Sequence, residues 1–278
     1  MKATLWGTRG SLSTPGPETT RYGGNTSCVE VRSRDGSVVV LDAGTGIRRL
    51  GCVIGPEVRR LDLLLTHLHL DHIEGLGFFG PLFRPGLEVH IWGPASTTLD
   101  LRARLSRYLS PPLFPVRLRD LPCQLELHDV VGVDRIRLGE LEVRPALVCH
   151  PGPTVGFRIS EGDASLAYLP DHEPALGSVD FPRESKWTSG FELAADVDLL
   201  IHDAQYGDEE YADRVGWGHS SLRDLLAFAT AVRAARVVPI HYDPSHSDDE
   251  LDRRFEDARR TSLPFDFVPG VEGATFEL

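Results

Sequence analysis

The 278-residue sequence predicts an α/β protein built on at least one large β-sheet, and on two by the number of strands it can supply. Three observations carry that expectation. Short apolar or β-branched runs recur along the whole chain, bounded by Gly, Pro or Asp as strands are. Between them lie a few stretches with apolar residues at helical spacing. No repeat period, low-complexity tract or linker interrupts the pattern, so residues 1–278 are expected to form one domain with a continuous core.

In chain order, the first strands are expected at Cys28 to Val31, Val38 to Asp42, Leu61 to Thr66 and Glu88 to Trp92. A helix is expected from Ser96 to Leu109, where Leu101, Leu105 and Tyr108 or Leu109 recur at its period. The stretch Pro111-Pro112-Leu113-Phe114-Pro115 ends it, because proline lacks the N–H and clashes with the preceding turn. Later strands are expected at Leu141 to Val148, Val155 to Ile159, Ser165 to Leu169, Asp198 to His202, Arg236 to His241 and Ala274 to Leu278. The clearest helix follows Ser221, which can cap it with Asp224 three residues on. Its Leu222, Leu225, Leu226, Ala229 and Val232 form a face for packing on a sheet.

A formal net charge of -12 repels nucleic acid and anionic membranes at long range, so a long nucleic acid partner is disfavoured. A local metal centre can still attract a small anion. No apolar run reaches the length of about eighteen residues that a membrane span needs. The start, Met1-Lys2-Ala3-Thr4-Leu5-Trp6-Gly7, turns polar too soon for a secretory signal, so no membrane association is expected and the cytoplasm is the simplest address. Cys28, Cys52, Cys123 and Cys149 form no C-x-x-C pair and are expected to be buried free thiols. Nothing fixes the oligomeric state, and self-association into a homo-oligomer stays open.

The densest chemical signal is Thr66-His67-Leu68-His69-Leu70-Asp71-His72, directly after the apolar run Leu61 to Leu65. In an extended segment His67 and His69 point to the same side, and a turn just beyond can bring Asp71 and His72 to a neighbouring point. Two adjacent metal sites follow. Imidazole and carboxylate donors suit zinc, with manganese or iron as substitutes.

These residues match the H-x-H-x-D-H signature of the metallo-β-lactamase superfamily, which the sequence resembles along most of its length. The resemblance implies a four-layered αββα sandwich. It also continues in order through His150, Asp171 and His241, each at the end of an apolar run. By that family's scheme His67, His69 and His150 hold one metal, Asp71, His72 and His241 hold the other, and Asp171 bridges them. The implied cofactor is a pair of zinc ions. Asp42, ending the run Val38 to Asp42, corresponds to an acid that orients a ligand histidine. His90, His128, His172 and His246 are read as ordinary core or surface residues. The loop Gly44-Thr45-Gly46-Ile47-Arg48-Arg49-Leu50-Gly51 has the wrong glycine spacing for a dinucleotide site.

Paired divalent ions lower the pKa of a shared water and clamp attacking and leaving oxygens, which suits ester, amide or phosphodiester hydrolysis. Two further segments narrow the choice: Leu200-Ile201-His202-Asp203-Ala204-Gln205-Tyr206 and Trp217-Gly218-His219-Ser220. They resemble the H-E-A-T and H-S-T segments of the branch containing transfer-RNA 3′-end processing enzymes and cyclic-nucleotide phosphodiesterases. In that branch the acid orients a histidine that assists the leaving oxygen. Asp203 and His219 match those positions, with Asp replacing Glu and Ser replacing the final Thr. The helix after Ser221 would add backbone N–H groups for a phosphate.

The resemblance therefore implies a small cyclic or linear phosphodiester as substrate, with Asp71, Asp203 and His219 in catalytic roles. Transfer RNA is the weaker candidate, because the chain is acidic and has no basic Gly-Pro-rich arm. Thr8-Arg9-Gly10-Ser11, Arg21 to Ser27 and Phe78 to Phe83 resemble segments of stand-alone bacterial members, whose Arg and aromatic side chains could line a pocket for a base and a phosphate; core packing is the equal alternative for Phe78, Phe79 and Phe83. A lactonase or thioesterase shares the metal cluster, and a non-catalytic metal-bound sensor is the alternative outside enzymology. His69 stands where an oxygen-reducing diiron branch carries Glu.

Overall fold

The computed structural model describes residues 1–132, 135–176, 181–182 and 187–278. In its first half the strands are β1 (Lys2–Gly7), β2 (Cys28–Arg32), β3 (Val38–Leu41), β4 (Arg60–Leu64), β5 (Glu88–Pro94) and β6 (Gln124–Val130). The second half adds β7 (Ile136–Leu138), β8 (Leu141–Leu147), β9 (Val155–Glu161), β10 (Ala164–Leu169), β11 (Leu199–Asp203), β12 (Arg236–Ile240), β13 (Asp266–Phe267) and β14 (Thr275–Glu277). They form two seven-stranded sheets, ordered β14-β1-β2-β3-β4-β5-β6 and β13-β12-β11-β10-β9-β8-β7.

Alternation along the strands sorts their side chains into three apolar layers. Val29, Val31, Val39, Leu41 and Leu64 of the first sheet meet Val143, Phe157, Ile159, Tyr168 and Ile201 of the second between the sheets. The other face of the first sheet, with Val40, Leu63 and Ile91, packs against α1 (Ile47–Val53) and α3 (Leu101–Tyr108). The outer face of the second, with Ala167, Leu169, Leu200 and Val237, is covered by α6 (Leu222–Val232) and α7 (Asp248–Arg259). Helices, sheet, sheet and helices make the expected four-layered αββα sandwich, with α2 (Leu70–Ile73), α4 (Phe191–Ala194) and α5 (Asp208–Ala212) as short further helices.

Strand direction brings the chemistry to one edge. β3 to β6 are parallel, and so are β10 to β13. β8 is antiparallel to β9, which is antiparallel to β10, so β8 runs the same way as β10. The segments beyond β3, β4, β8, β10, β11 and β12 therefore open at the strand ends where ligands gather in α/β proteins.

Most expected elements appear, with informative departures. The expected helix from Ser96 begins only at Leu101, because Asp100 caps it by accepting from the Ala103 N–H at 2.7 Å. Ser221 caps α6 as expected, accepting from the Asp224 N–H. β1, β6, β7, β13 and α7 were not expected. α7 is so charged that Leu251, Phe255 and Ala258 are the only apolar residues on its buried face. Cys28 and Cys123 are buried free thiols, but Cys52 is exposed at the end of α1, contrary to expectation. Among the described residues no helix is long and apolar enough to cross a membrane.

Phe157 lies fully buried between the sheets, so Phe157→Ala leaves a cavity there. Chemical denaturation should show a loss of about 3–5 kcal/mol. A loss well under 1 kcal/mol would show that this layer does not hold the sheets together.

Candidate metal centre

The ligand-type residues picked out by the sequence converge at the common edge of the two sheets. His67 and His69 follow β4, Asp71 and His72 lie on the single turn α2 (Leu70–Ile73), His150 follows β8, Asp171 follows β10 and His241 follows β12. Donor atoms of His67, His69, His150 and Asp171 lie within 4.8 Å of one another, as do those of Asp71, His72, Asp171 and His241. Asp171 joins the two groups with different oxygens. Its Oδ2 lies 3.6 Å from His67 Nε2 and 3.7 Å from His150 Nε2, while its Oδ1 lies 2.9 Å from His72 Nε2 and 3.2 Å from His241 Nε2. Asp71 Oδ2 completes the second group at 3.3 Å from both His72 and His241.

Second hydrogen bonds fix which nitrogen each imidazole presents. His72 Nδ1–H donates to Asp42 Oδ2 at 2.8 Å, His150 Nδ1–H to the Gly218 carbonyl at 2.8 Å, and His241 Nδ1–H to Gln205 Oε1 at 3.0 Å. The Thr66 hydroxyl donates to Asp42 and accepts from His67 Nδ1 at 3.1 Å. Each of these rings is left with Nε2 facing the centre. His69 instead offers Nδ1, 3.2 Å from His150 Nε2. Asp42 thus orients a histidine as the resemblance implied, and Tyr168 anchors it further through a hydroxyl bond at 3.0 Å.

The donor set fits divalent ions on its own chemistry. His67 Nε2 and Asp171 Oδ1 are buried without a hydrogen-bond partner, although Asp171 Oδ1 is close to two imidazoles. Contacts that are close but badly directed for hydrogen bonds are what donors arranged around a cation produce. Burial holds His67, His69 and His150 below the usual imidazole range, keeping their lone pairs free. Burial acts the same way on His241, yet Asp171 and Asp71 outweigh it and raise the ring to about 9. His72 is likewise raised despite burial, by Asp171, Asp71 and Asp42. The carboxylates there call for positive charge, which protons or metal ions can supply.

The backbone is bent to serve this edge. Asp42 and His241 adopt left-handed conformations, with φ of 57° and 62°. Such angles are uncommon away from glycine and are held only where the surroundings enforce them. Gly10 passes so close to His241 that a Cβ would stand 2.3 Å from Nδ1.

Asp203 and His219 meet despite the shorter acid, with His219 Nδ1 2.8 Å from Asp203 Oδ2. Asp203 also accepts from the Gln205 and His172 N–H groups, at 2.9 and 3.2 Å. The His219 ring stacks on His241 at 5.0 Å, and its Nδ1 is 3.9 Å from Asp171 Oδ2. Asp203, His219 and His241 are close enough to form another donor group. Because those three bonds engage Asp203, it reads as an anchor for His219.

Several expectations require correction. The start of α6 is not a free cradle for phosphate: its Leu222 N–H donates to the Tyr206 carbonyl and its Asp224 N–H to Ser221. Arg9 does not line a pocket. It is fully buried and donates to the carbonyls of Gly23 and His246. Arg21 is exposed and paired with Asp249 and Asp252. Phe79 belongs to the core, while Phe78 is exposed and lies edge-on to Phe114. Sequence reasoning missed Gln205, Thr66 and Arg104. Arg104 borders a cleft of about 170 Å³ beside His67, His69 and Pro151, and its helical position carried no signal of that.

A family profile described as "Beta-lactamase superfamily domain" matches residues 38–242, and the chain belongs to that superfamily. It is 25% identical over 290 residues to a protein named Ribonuclease Z from Gemmatimonas aurantiaca, covering 88% of each chain. Among solved structures it resembles the metallo-β-lactamase fold protein YhfI of Bacillus subtilis, with TM-score 0.71, 15% identity and coverage of 99% and 98%. It also resembles the short form of human tRNase Z, with TM-score 0.68, 20% identity and coverage of 100% and 99%. The expectation that long nucleic acid is disfavoured gains no support from these relatives.

Gln205 supplies the acceptor for His241 Nδ1, so Gln205→Leu should weaken one metal ion by about 10- to 100-fold in a chelator competition. Asp171→Ala should remove that ion altogether. Unchanged affinity in Gln205→Leu would show that His241 needs no such partner.

Proposed function

We propose that the chain is a dinuclear metal-dependent phosphodiesterase. His67, His69 and His150 would hold one ion, Asp71, His72 and His241 the other, and Asp171 both; the donor types favour zinc. When bound, such ions acidify water and stabilise charge developing on phosphate oxygens. The observation that carries the phosphodiester reading is the Asp203–His219 pair, poised over the metal donors without belonging to the seven. Lactone and thioester hydrolysis has no evident use for that pair.

The chain's own residues divide the remaining work. Asp203 accepts the Nδ1 proton of His219, which leaves Nε2 to carry a proton to the departing ester oxygen. Gln205 N–H and His172 N–H fix the Asp203 carboxylate, so the imidazole is oriented before substrate arrives. Asp71 accepts the Ser11 N–H at 2.8 Å on the oxygen that also faces His72 and His241. That bond steadies the loop beyond β1 against the centre.

His219→Ala should keep its metal content yet lose about a hundredfold to ten-thousandfold in kcat on a phosphodiester. Asp203→Asn should be milder, and the double variant scarcely worse than His219→Ala, because residues acting as one unit are not additive. The defect should shrink for p-nitrophenolate, which departs without protonation. Equal activity of His219→Ala on good and poor leaving groups would refute the assignment.

Two substrate sizes remain in view, and a different observation favours each. The engagement of Arg9 and Arg21 within the fold favours a small cyclic or linear phosphodiester. The similarity to a protein named Ribonuclease Z favours RNA. In parallel assays, cyclic nucleotides and bis-aryl diesters are expected to turn over and phosphomonoesters to react far more slowly. Cleavage of a transfer-RNA precursor with none of the small diesters would assign the chain to RNA, and lactone or thioester turnover alone would overturn the phosphodiesterase reading.

A further inference from the structure

We propose that His90, Glu126 and His128 form a separate site for a single divalent transition-metal ion of the zinc type, on the outer strands of the first sheet. The register of β4, β5 and β6 aligns Asp62 with His90 and Glu126, and Leu64 with Trp92 and His128. These residues share one face of the sheet. Leu64 and Trp92 belong to the inter-sheet core, so the polar row begins where that core ends. The opposite face carries Val89 and Ile91 into the helical layer.

The donor atoms point at one another rather than at solvent. His90 Nδ1 and His128 Nε2 are 2.8 Å apart, and Glu126 Oε2 is 3.7 Å from the first and 3.9 Å from the second. Donors on a tetrahedral zinc ion, each about 2.0–2.2 Å from the metal, stand about 3.4 Å from one another. The imidazoles would part slightly and the carboxylate would close in by a similar amount. Glu126 is free to do so, since its side chain is 63% exposed, whereas His90 is buried. Water can take the remaining position.

The surroundings hold both imidazoles in place. His90 Nε2–H donates to Glu88 Oε1 at 2.6 Å, the carboxylate–histidine pairing that fixes a metal-binding tautomer, and so Nδ1 faces the site with its lone pair. The His128 ring stacks on Trp92 at 3.9 Å and 17°, and Trp92 is anchored by its Nε1–H bond to Asp62 at 2.9 Å. Arg60 is engaged by Asp62 and Glu88 rather than by the site. Burial and the neighbouring His90 lower the His128 pKa, favouring the neutral ring that a metal requires. The one proton between the facing nitrogens must pass to solvent or to His128 Nδ1 when an ion enters.

The test counts ions by difference, so it does not depend on how many the main centre holds. Intact protein is saturated with zinc, freed of excess by gel filtration and analysed for metal, alongside His128→Ala and Glu126→Gln. Wild type should carry one more zinc per chain than His128→Ala. Glu126→Gln, an exposed change with little risk to folding, should weaken that last ion at least tenfold in calorimetric titration. Phosphodiester turnover should be the same in all three proteins. Copper added to wild type should give an electron paramagnetic signal with two coupled nitrogens that His128→Ala lacks. Equal zinc content in wild type and His128→Ala, or an affinity for that last ion unchanged by Glu126→Gln, would overturn the proposal and leave a hydrogen-bonded histidine pair. A difference of one ion without phosphodiester turnover in any protein would sustain this site while removing the function proposed for the main centre.

Discussion

The buried carboxylate of Asp171 is the interaction on which the rest of the site depends. An ionised acid taken out of water is costly unless opposite charge or hydrogen bonds meet it. Asp171 has no such bond on Oδ1, yet nearby His241, His72 and His67 hold it well below the usual carboxylate range against the effect of burial. Its two oxygens face two different groups of imidazoles. A residue so placed makes little sense as a packing element, because an apolar side chain of similar size would fill the space without the electrostatic cost.

That demand organises the neighbouring structure. The donors come from loops at the strand ends of both sheets, so the inter-sheet core must fix one sheet against the other before the two groups can share Asp171. Tyr168 illustrates the coupling: it lies in that core on β10, yet its hydroxyl reaches across to Asp42 on the first sheet. Asp42 then holds His72, and its left-handed backbone turns the chain away immediately after β3. Packing and chemistry meet in one chain of contacts, in which hydrogen bonds link Tyr168 to Asp42 and Asp42 to His72, and His72 approaches Asp171 at 2.9 Å. The close passage of Gly10 over His241 adds a steric limit from the loop beyond β1.

How much of this the sequence disclosed follows from the kind of signal each part carries. The donor residues were legible because chemistry restricts them to a few residue types at short spacing, as in His67 to His72. The strands that became β3, β4, β10, β11 and β12 were legible because they are buried and mostly apolar, and β8 because buried Leu141, Val143 and Pro145 alternate with half-buried Glu142 and Arg144. β6 was not, since Gln124, Glu126 and Asp129 interrupt it, and α7 was not, since solvent takes most of its surface. Gln205 was hidden for a different reason: its role lies in a contact with His241, 36 residues away in sequence. Arg9 was misread because its segment resembles ones that could line a phosphate pocket, whereas burial turned its guanidinium to the carbonyls of Gly23 and His246.

Net charge was the weakest guide, and the structure shows why. A total of -12 includes acids with purely internal duties, such as Glu161 bound to the N-terminus and Asp248 bound to Arg9 and the backbone of Arg21 and Tyr22. Both acids are buried, and the Arg9 pair already cancels within the total, so the sum says nothing of the charge near the centre. An incoming phosphodiester instead meets the field of the metal centre, where bound cations would be the largest nearby charges. Screening reduces the influence of exposed charges beyond about 8–10 Å at physiological salt, so distant acids on α7 weigh little there. The choice between a small diester and RNA is therefore set by the surface within reach of the substrate's own phosphates, and a longer substrate samples more of that surface than a shorter one.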